Sequence, residues 1–246
     1  MKYTRLFILI LLSMPLFAQS AIPSGTILPV ALNSSLHSNR NKPGQTVTAR
    51  IMQDVPLSDG SRIPAGAKLI GHVTEAPQAS GGTFGLRFDK VVFAGHQIPV
   101  NTSLRAVAGL MGVWEAQLPT NATDRATPEQ NWTTVQVGDD EVVYRGGGGV
   151  THGEDIVGQP TPDGVLVRVG ASPGSNCRGE IDGNRELQAL WVFSSDACGV
   201  YDLPHVQIIH RGRSNPAGEI VLASSKGAVN ITAGSGMLLR VNRAAN

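Results

Sequence analysis

A five-residue pattern recurs just ahead of apolar runs in this chain. Ile22-Pro23-Ser24-Gly25-Thr26 leads into residues 26–32, Ile63-Pro64-Ala65-Gly66-Ala67 into 68–73, and Ile231-Thr232-Ala233-Gly234-Ser235 into 237–241. Proline in second place and glycine in fourth suit a type I turn, with proline setting the first central φ and glycine tolerating the exit. The third copy has Thr232 in place of proline and keeps only the glycine end. Gly25, Gly66 and Gly234 are therefore expected at equivalent structural turns of a closed or nearly closed sheet. The irregular spacing of the copies excludes a solenoid. The 29 glycines, 15 prolines and only 16% charged residues also exclude coiled coils and helical repeats, while 41% hydrophobic residues suffice for a core.

Between the turns the chain reads as strands. Residues 46–52 alternate as a half-buried strand should, and 68–73, 85–93 and 97–100 continue the series. Phe84, Leu86 and Phe88 share one face while Arg87 and Asp89 point away. Residues 108–163 differ, being rich in Thr, Asn, Gln, Asp and Gly with a run from Gly146 to Gly149, and read as a long inserted flexible loop without a core. Strands resume at 165–169, 206–209 and 219–222. Residues 185–193 are the best helical candidate, with Leu187, Leu190 and Trp191 on one face. The expected fold is mainly β, a barrel or sandwich of short strands with one short helix and a long inserted polar loop. The organisation is a signal peptide over 1–20, a first β part over 21–107, the inserted loop over 108–163, and the remainder of the β domain over 164–246.

The leader carries Lys2 and Arg5, then an apolar run from Leu6 to Phe17 interrupted by Pro15, then Ala18-Gln19-Ser20 ahead of Ala21. This is the pattern of a secretory signal peptide cut before Ala21. A membrane anchor needs roughly 18 apolar residues, and no later segment approaches that; residues 106–114 are the longest candidate and contain Gly109 and Gly112. Formal charge is +1 for the whole chain, and loss of Lys2 and Arg5 makes it −1. That balance carries no electrostatic footprint for nucleic acid or an anionic membrane surface. Export also sets the reading of Cys177 and Cys198, the only two cysteines. In an oxidising compartment such a pair is expected as a structural disulfide, here bracketing the candidate helix. The competing reading makes Cys198 a nucleophile with His205 or His210 as base.

No catalytic, metal or cofactor constellation has the spacing its chemistry requires. Asp139, Asp140 and Glu141 with His152, Glu154 and Asp155 form an acidic cluster, but without EF-hand spacing, and read as a solvated loop. Gly234-Ser235-Gly236 is not a nucleophile elbow, and the run at Gly146 lacks the Lys-Ser/Thr of a phosphate loop. Trp114, Trp132 and Trp191 are the available stacking platforms for a glycan or other ligand, with Trp191 also suited to a core.

The blocks Gly25-Thr26-Ile27-Leu28-Pro29-Val30-Ala31-Leu32, Gly44-Gln45-Thr46-Val47-Thr48-Ala49-Arg50, Asp54-Val55, Ile63 to Gly71 and Leu86-Arg87-Phe88 come in a particular order. With Val229 to Gly234 and Leu239 to Arg243, they resemble the β-barrel domain of the TrbI-like channel proteins of conjugative type IV secretion systems. The resemblance covers roughly half of the chain after the leader. Family members that span the envelope carry an inner-membrane helix and a proline-rich arm before the barrel, and pore-forming members insert a helical hairpin; this chain has neither arm nor hairpin. The resemblance implies a free-standing exported barrel, periplasmic or associated with the outer envelope. It would act without catalysis through an envelope protein partner or self-association; a glycan- or ligand-binding module is the alternative, and an exported hydrolase is the least favoured reading.

Overall fold

Alternation along the chain turns into strands with one buried and one wet face wherever a single core is available. In the computed structural model, which describes residues 21–76, 82–138, 140–169 and 186–243, β3 (Thr46–Ile51) buries Val47, Ala49 and Ile51 and exposes Thr46 and Arg50. β6 (Lys68–Glu75) does the same with Leu69, Gly71 and Val73. The other strands of the main sheet are β1 (Ile27–Leu32), β7 (Thr83–Phe93), β8 (His96–Pro99), β9 (Thr102–Ala108), β16 (Gly199–Tyr201), β17 (Val206–Arg211), β18 (Ile220–Ser224) and β20 (Gly236–Val241). They form a ten-stranded sheet in the order β16-β9-β20-β1-β3-β6-β7-β18-β17, with β8 beside β7. The sheet curls into a nearly closed barrel: Arg211 at the end of β17 donates to the carbonyls of Leu104 and Arg105 in β9 at 3.3 and 2.9 Å. Two small ladders, β2 (Leu36–His37) with β19 (Asn230–Ile231) and β4 (Val55–Pro56) with β5 (Arg62–Ile63), complete this unit.

The recurring turns clamp the barrel strands in pairs. The glycines at 25, 66 and 234 have φ of +93°, +87° and +87°. The residue after each glycine donates to the carbonyl three places back, Thr26 to Pro23, Ala67 to Pro64 and Ser235 to Thr232. The proline position is therefore the first residue of the turn and not, as expected from sequence, its first central one, and glycine stands third with positive φ, the requirement of a type II rather than a type I turn. Lys42-Pro43-Gly44-Gln45 is a fourth copy, with Gly44 at φ +80° and Gln45 bonded to Lys42. In every copy the glycine N–H reaches a carbonyl of the neighbouring strand at 2.8 Å: Gly25 to Val241, Gly234 to Leu32 and Gly66 to Ile51, each the last of its strand, and Gly44 to Val73, two residues before the end of β6. Each of those four residues donates back to the residue after the glycine. The antiparallel pairs β1/β20 and β3/β6 are thus closed at both ends.

Strands β1, β9 and β20 are buried on both faces. Leu28, Val30, Leu32, Met237 and Leu239 face the barrel core, while Ile27, Ala31, Ala106, Ala108 and Leu238 pack outward against a second core. That second core is supplied by a six-stranded antiparallel sheet of β10 (Thr133–Val135), β11 (Val142–Tyr144), β12 (Val150–His152), β13 (Asp155–Thr161), β14 (Gly164–Arg168) and β15 (Leu187–Ala189), paired in chain order. A parallel bridge between Val137 and Phe193 carries this sheet toward closure.

Two expectations are corrected here. Residues 108–163 are not a coreless loop: they hold a helix and four strands, and Val137, Val143 and Val150 are buried. The insertion into the barrel is real but longer, running from the end of β9 to the start of β16. The strands here are only three residues long in β10, β11 and β12, each giving one or no apolar side chain to the core, so no alternation shows in a Thr- and Gly-rich stretch. The candidate helix at 185–193 is also absent in its described part. Leu187–Ala189 pair with β14, and the chain then turns, Phe193 N–H donating to Leu190 at 2.9 Å with Trp191 at φ +54°. Leu187, Leu190 and Trp191 have helical spacing by coincidence; the run 189–193 is buried throughout because it lies between the two sheets. The α-helix of the described residues is α1 (Leu110–Glu115). No helix among them is long and apolar enough to cross a membrane.

Candidate functional site

α1 sits where β9 leaves the barrel and the second sheet begins. Gly109 precedes it, and a Cβ there would stand 2.3 Å from the Asp202 carbonyl oxygen, so glycine is required by close approach. Asp202, itself at φ +51°, accepts a hydrogen bond from Gly112 N–H at 2.9 Å and holds the first turn. Val113 turns inward, packing near Gly236, whose missing Cβ leaves room for Val113, Phe193 and Trp191. The opposite side is apolar and open. Leu110, Met111 and Trp114 are 42%, 52% and 52% exposed. Beside them lies a cleft of about 230 Å³ between α1 and β10, lined by Gly112, Glu115, Ala116, Val135, Gln136 and Val137. A single surface thus joins protruding apolar side chains to a concave neighbour.

A second cluster lies where the barrel closes. The register shift between Leu238 and Leu239 leaves Arg105 as an extra residue on β9, and the bulge aims its side chain at the segment before β16. Arg105 donates to the carbonyls of Ala197 and Ser195, both at 2.9 Å. Burial holds its guanidinium down to about 10, against the opposing pull of Asp196 and Tyr201, so it stays charged at neutral pH. Burial likewise lowers Arg211, and nearby Arg213 adds to the effect. Cys198 is buried here, with Arg211 3.8 Å from its Sγ, and its backbone N–H donates to the Tyr201 hydroxyl at 2.9 Å.

The sequence candidates fall as follows. Cys177 lies outside the described residues, as do Asp139 and the leader 1–20. His210 bonds the Glu219 carbonyl at 2.6 Å and Ser214 Oγ at 3.1 Å rather than Cys198. Glu141, expected in a solvated loop, is fully buried; its carboxylate accepts from the Ser195 N–H at 3.0 Å and from the Ser195 hydroxyl. Its carboxyl group therefore joins the second sheet to the segment that Arg105 holds. Among the described residues no group of three or more His, Cys, Asp or Glu could hold a metal ion. Gly146 and Gly148 lie under the Tyr144 ring, where a Cβ would stand 2.7 and 2.8 Å from it, so packing accounts for half of that run. Of the tryptophans, Trp191 is core, Trp132 is half-buried with its indole N–H on the Thr127 carbonyl, and Trp114 is open. The apolar surface of α1 was legible only as the short run 106–114, because six helical residues are too few for periodicity to show. No family model matches this chain, and no match was found among the curated proteins.

Proposed function

We propose that this protein is an exported, non-enzymatic module of the cell envelope that acts by docking a protein partner on the α1 surface. The observation that carries the reading is the open apolar triad Leu110, Met111 and Trp114 on a helix otherwise fixed by Val113 and Asp202. Isolated exposed apolar residues need no explanation, but a cluster on one short, well-anchored element beside a cleft is the usual form of an interaction site. Export is supported by the leader pattern before Ala21, and a scaffold role by the resemblance to the TrbI-like barrel. A photo-reactive amino acid at Met111 should give cross-linked adducts in envelope fractions that the same group at exposed Ser58 does not. Identical adduct patterns from the two positions would sink the reading. Mass spectrometry of the exported chain should find Ala21 as its first residue.

A glycan-binding reading rests on Trp114 alone, the one open tryptophan of the three. Glycan-array binding that is lost on Trp114→Ala would favour it. The Cys177–Cys198 bridge belongs to the same proposal: burial of Cys198 beside the strand that closes the barrel supports a structural role. Bridging those two residues would stabilise the fold by about 3 kcal/mol in the chain-entropy model. Replacing both by serine should lower Tm and leave partner docking intact below it, and free thiol at Cys198 in protein purified without reductant would overturn the assignment.

A further inference from the structure

Four arginines line one small cavity at the seam where the barrel closes. Arg105 comes from the bulge of β9, Arg240 from β20, Arg211 from the end of β17 and Arg213 from the exposed turn after it. They share the lining with the buried Leu104 and Cys198. The cavity measures about 20 Å³, and about 10–15 Å³ holds one water, so there is room for a single small head group. Two of the guanidiniums are already fixed by the fold. Arg105 is held on the Ala197 and Ser195 carbonyls, and Arg211 donates through Nη1 to the carbonyls of Leu104 and Arg105. A ligand arriving there does not have to order them, which removes one cost of binding. Arg211 Nε and Nη2 have no hydrogen-bond partner among the described residues. Those groups form one edge of the planar guanidinium, the edge that matches two oxygens of a carboxylate or a phosphate.

We propose that this cavity is an anion site, taking the terminal carboxylate or phosphate group of a ligand on the open edge of Arg211, within the field of Arg105, Arg213 and Arg240. The site shares no lining residue with the α1 cleft and stands or falls independently of docking there. Leu104 and Cys198 in its wall keep the local dielectric low, so charge acts more strongly here than on an open surface. The arginines also feel one another. Burial is the largest influence on Arg105 and Arg211, and like charge adds to it: Arg240 and Arg211 press on Arg105, and Arg213 presses on Arg211. Asp196 opposes this at Arg105. An anion seated among the four would relieve a repulsion that the fold otherwise carries. The small volume fixes the kind of ligand as one that offers its oxyanion end and keeps the remainder outside.

Calorimetric titration of the purified chain with inorganic phosphate and, separately, with acetate tests the site, with chloride at matched ionic strength as the reference. The wild type should show saturable binding of one anion per chain, and the tighter of the two anions identifies the head group as tetrahedral or planar. Arg213→Gln removes a charge at an exposed position and Arg240→Gln at a half-buried one. Each should weaken binding by about tenfold. Arg50→Gln makes the same change in net charge at an exposed position on β3, outside the lining, and should leave binding unchanged. Tm measured without anion shows whether each variant is folded, and Arg213→Gln alone decides if Arg240→Gln lowers it. A wild type that binds neither anion saturably overturns the proposal. So does equal weakening by Arg50→Gln, which would reduce the effect to general charge attraction. Binding indifferent to Arg213→Gln places the anion elsewhere and overturns it as well.

Discussion

Single polar side chains join the two sheets of this protein. Gln53 is buried beneath the second sheet; its amide donates to the Val165 carbonyl at 2.8 Å and Thr161 Oγ1 at 3.2 Å, and its oxygen accepts from Trp191 N–H at 2.7 Å. Gln188 reaches the other way, accepting from Ile27 N–H at 3.0 Å. A leucine at position 53 would fill similar volume but leave the Trp191 N–H without its acceptor, while the Val165 carbonyl would keep only the Leu190 N–H. Gln53→Leu should therefore cost about 1–3 kcal/mol, read as a lowered urea midpoint with unchanged slope. A midpoint equal to wild type would mean that water reaches this interface. Nothing in the local sequence around Gln53 marks it as special, since an isolated glutamine after a strand is ordinary surface chemistry; only the sheet folded over it makes it a clamp.

At the scale of elements, the four glycine turns carry a separable prediction. A Cβ at Gly44 or Gly66 meets nothing within 4 Å, yet both glycines sit near φ +80° to +87°. Substitution by alanine there is a test of backbone conformation alone, with an expected loss of roughly 1–2 kcal/mol per site. Gly71 in β6 is the contrast: its φ is ordinary, but a Cβ would lie 2.0 Å from the Arg87 carbonyl oxygen in β7. Gly71→Ala must push two barrel strands apart and should destabilise more than Gly66→Ala in the same denaturation assay. The reverse ranking would show that β6 and β7 are looser than their register implies. The turns were legible from sequence because glycine acts through its own φ preference. Their hydrogen bonds to neighbouring strand ends were not, since those partners lie far away along the chain.

The whole molecule depends on strands that serve two cores at once. Because β1, β9 and β20 present Ile27, Ala31, Ala106, Ala108 and Leu238 to the second sheet, that sheet cannot be removed without exposing the outside of the barrel. Deleting residues 120–158 removes β10, β11, β12 and part of β13, with the buried Val137, Val143 and Val150. The truncated chain should lose its cooperative unfolding transition and associate on size exclusion, because the newly bared apolar surface carries roughly 25 cal/mol per Å². A sharp two-state transition in the truncated protein would show instead that the barrel is self-sufficient.

The sequence by itself determined the β class, the turns and the barrel strands, because period-two alternation and the φ preference of glycine are local properties. It also marked 26–32 as an extended run, apolar from Ile27 onward, without saying why no face of β1 is polar. Tertiary structure alone decided that answer: a second sheet covers the outer face, so both sides must be apolar. It likewise decided the fate of Leu187, Leu190 and Trp191, whose spacing fits a helix but whose burial comes from lying between two sheets. The same holds for α1, six residues whose form depends on Asp202 and the close approach at Gly109, contacts across about 90 positions of chain. Strands of three residues and a helix of six hold too little periodic signal to declare themselves; packing against the barrel supplies what their own propensities lack.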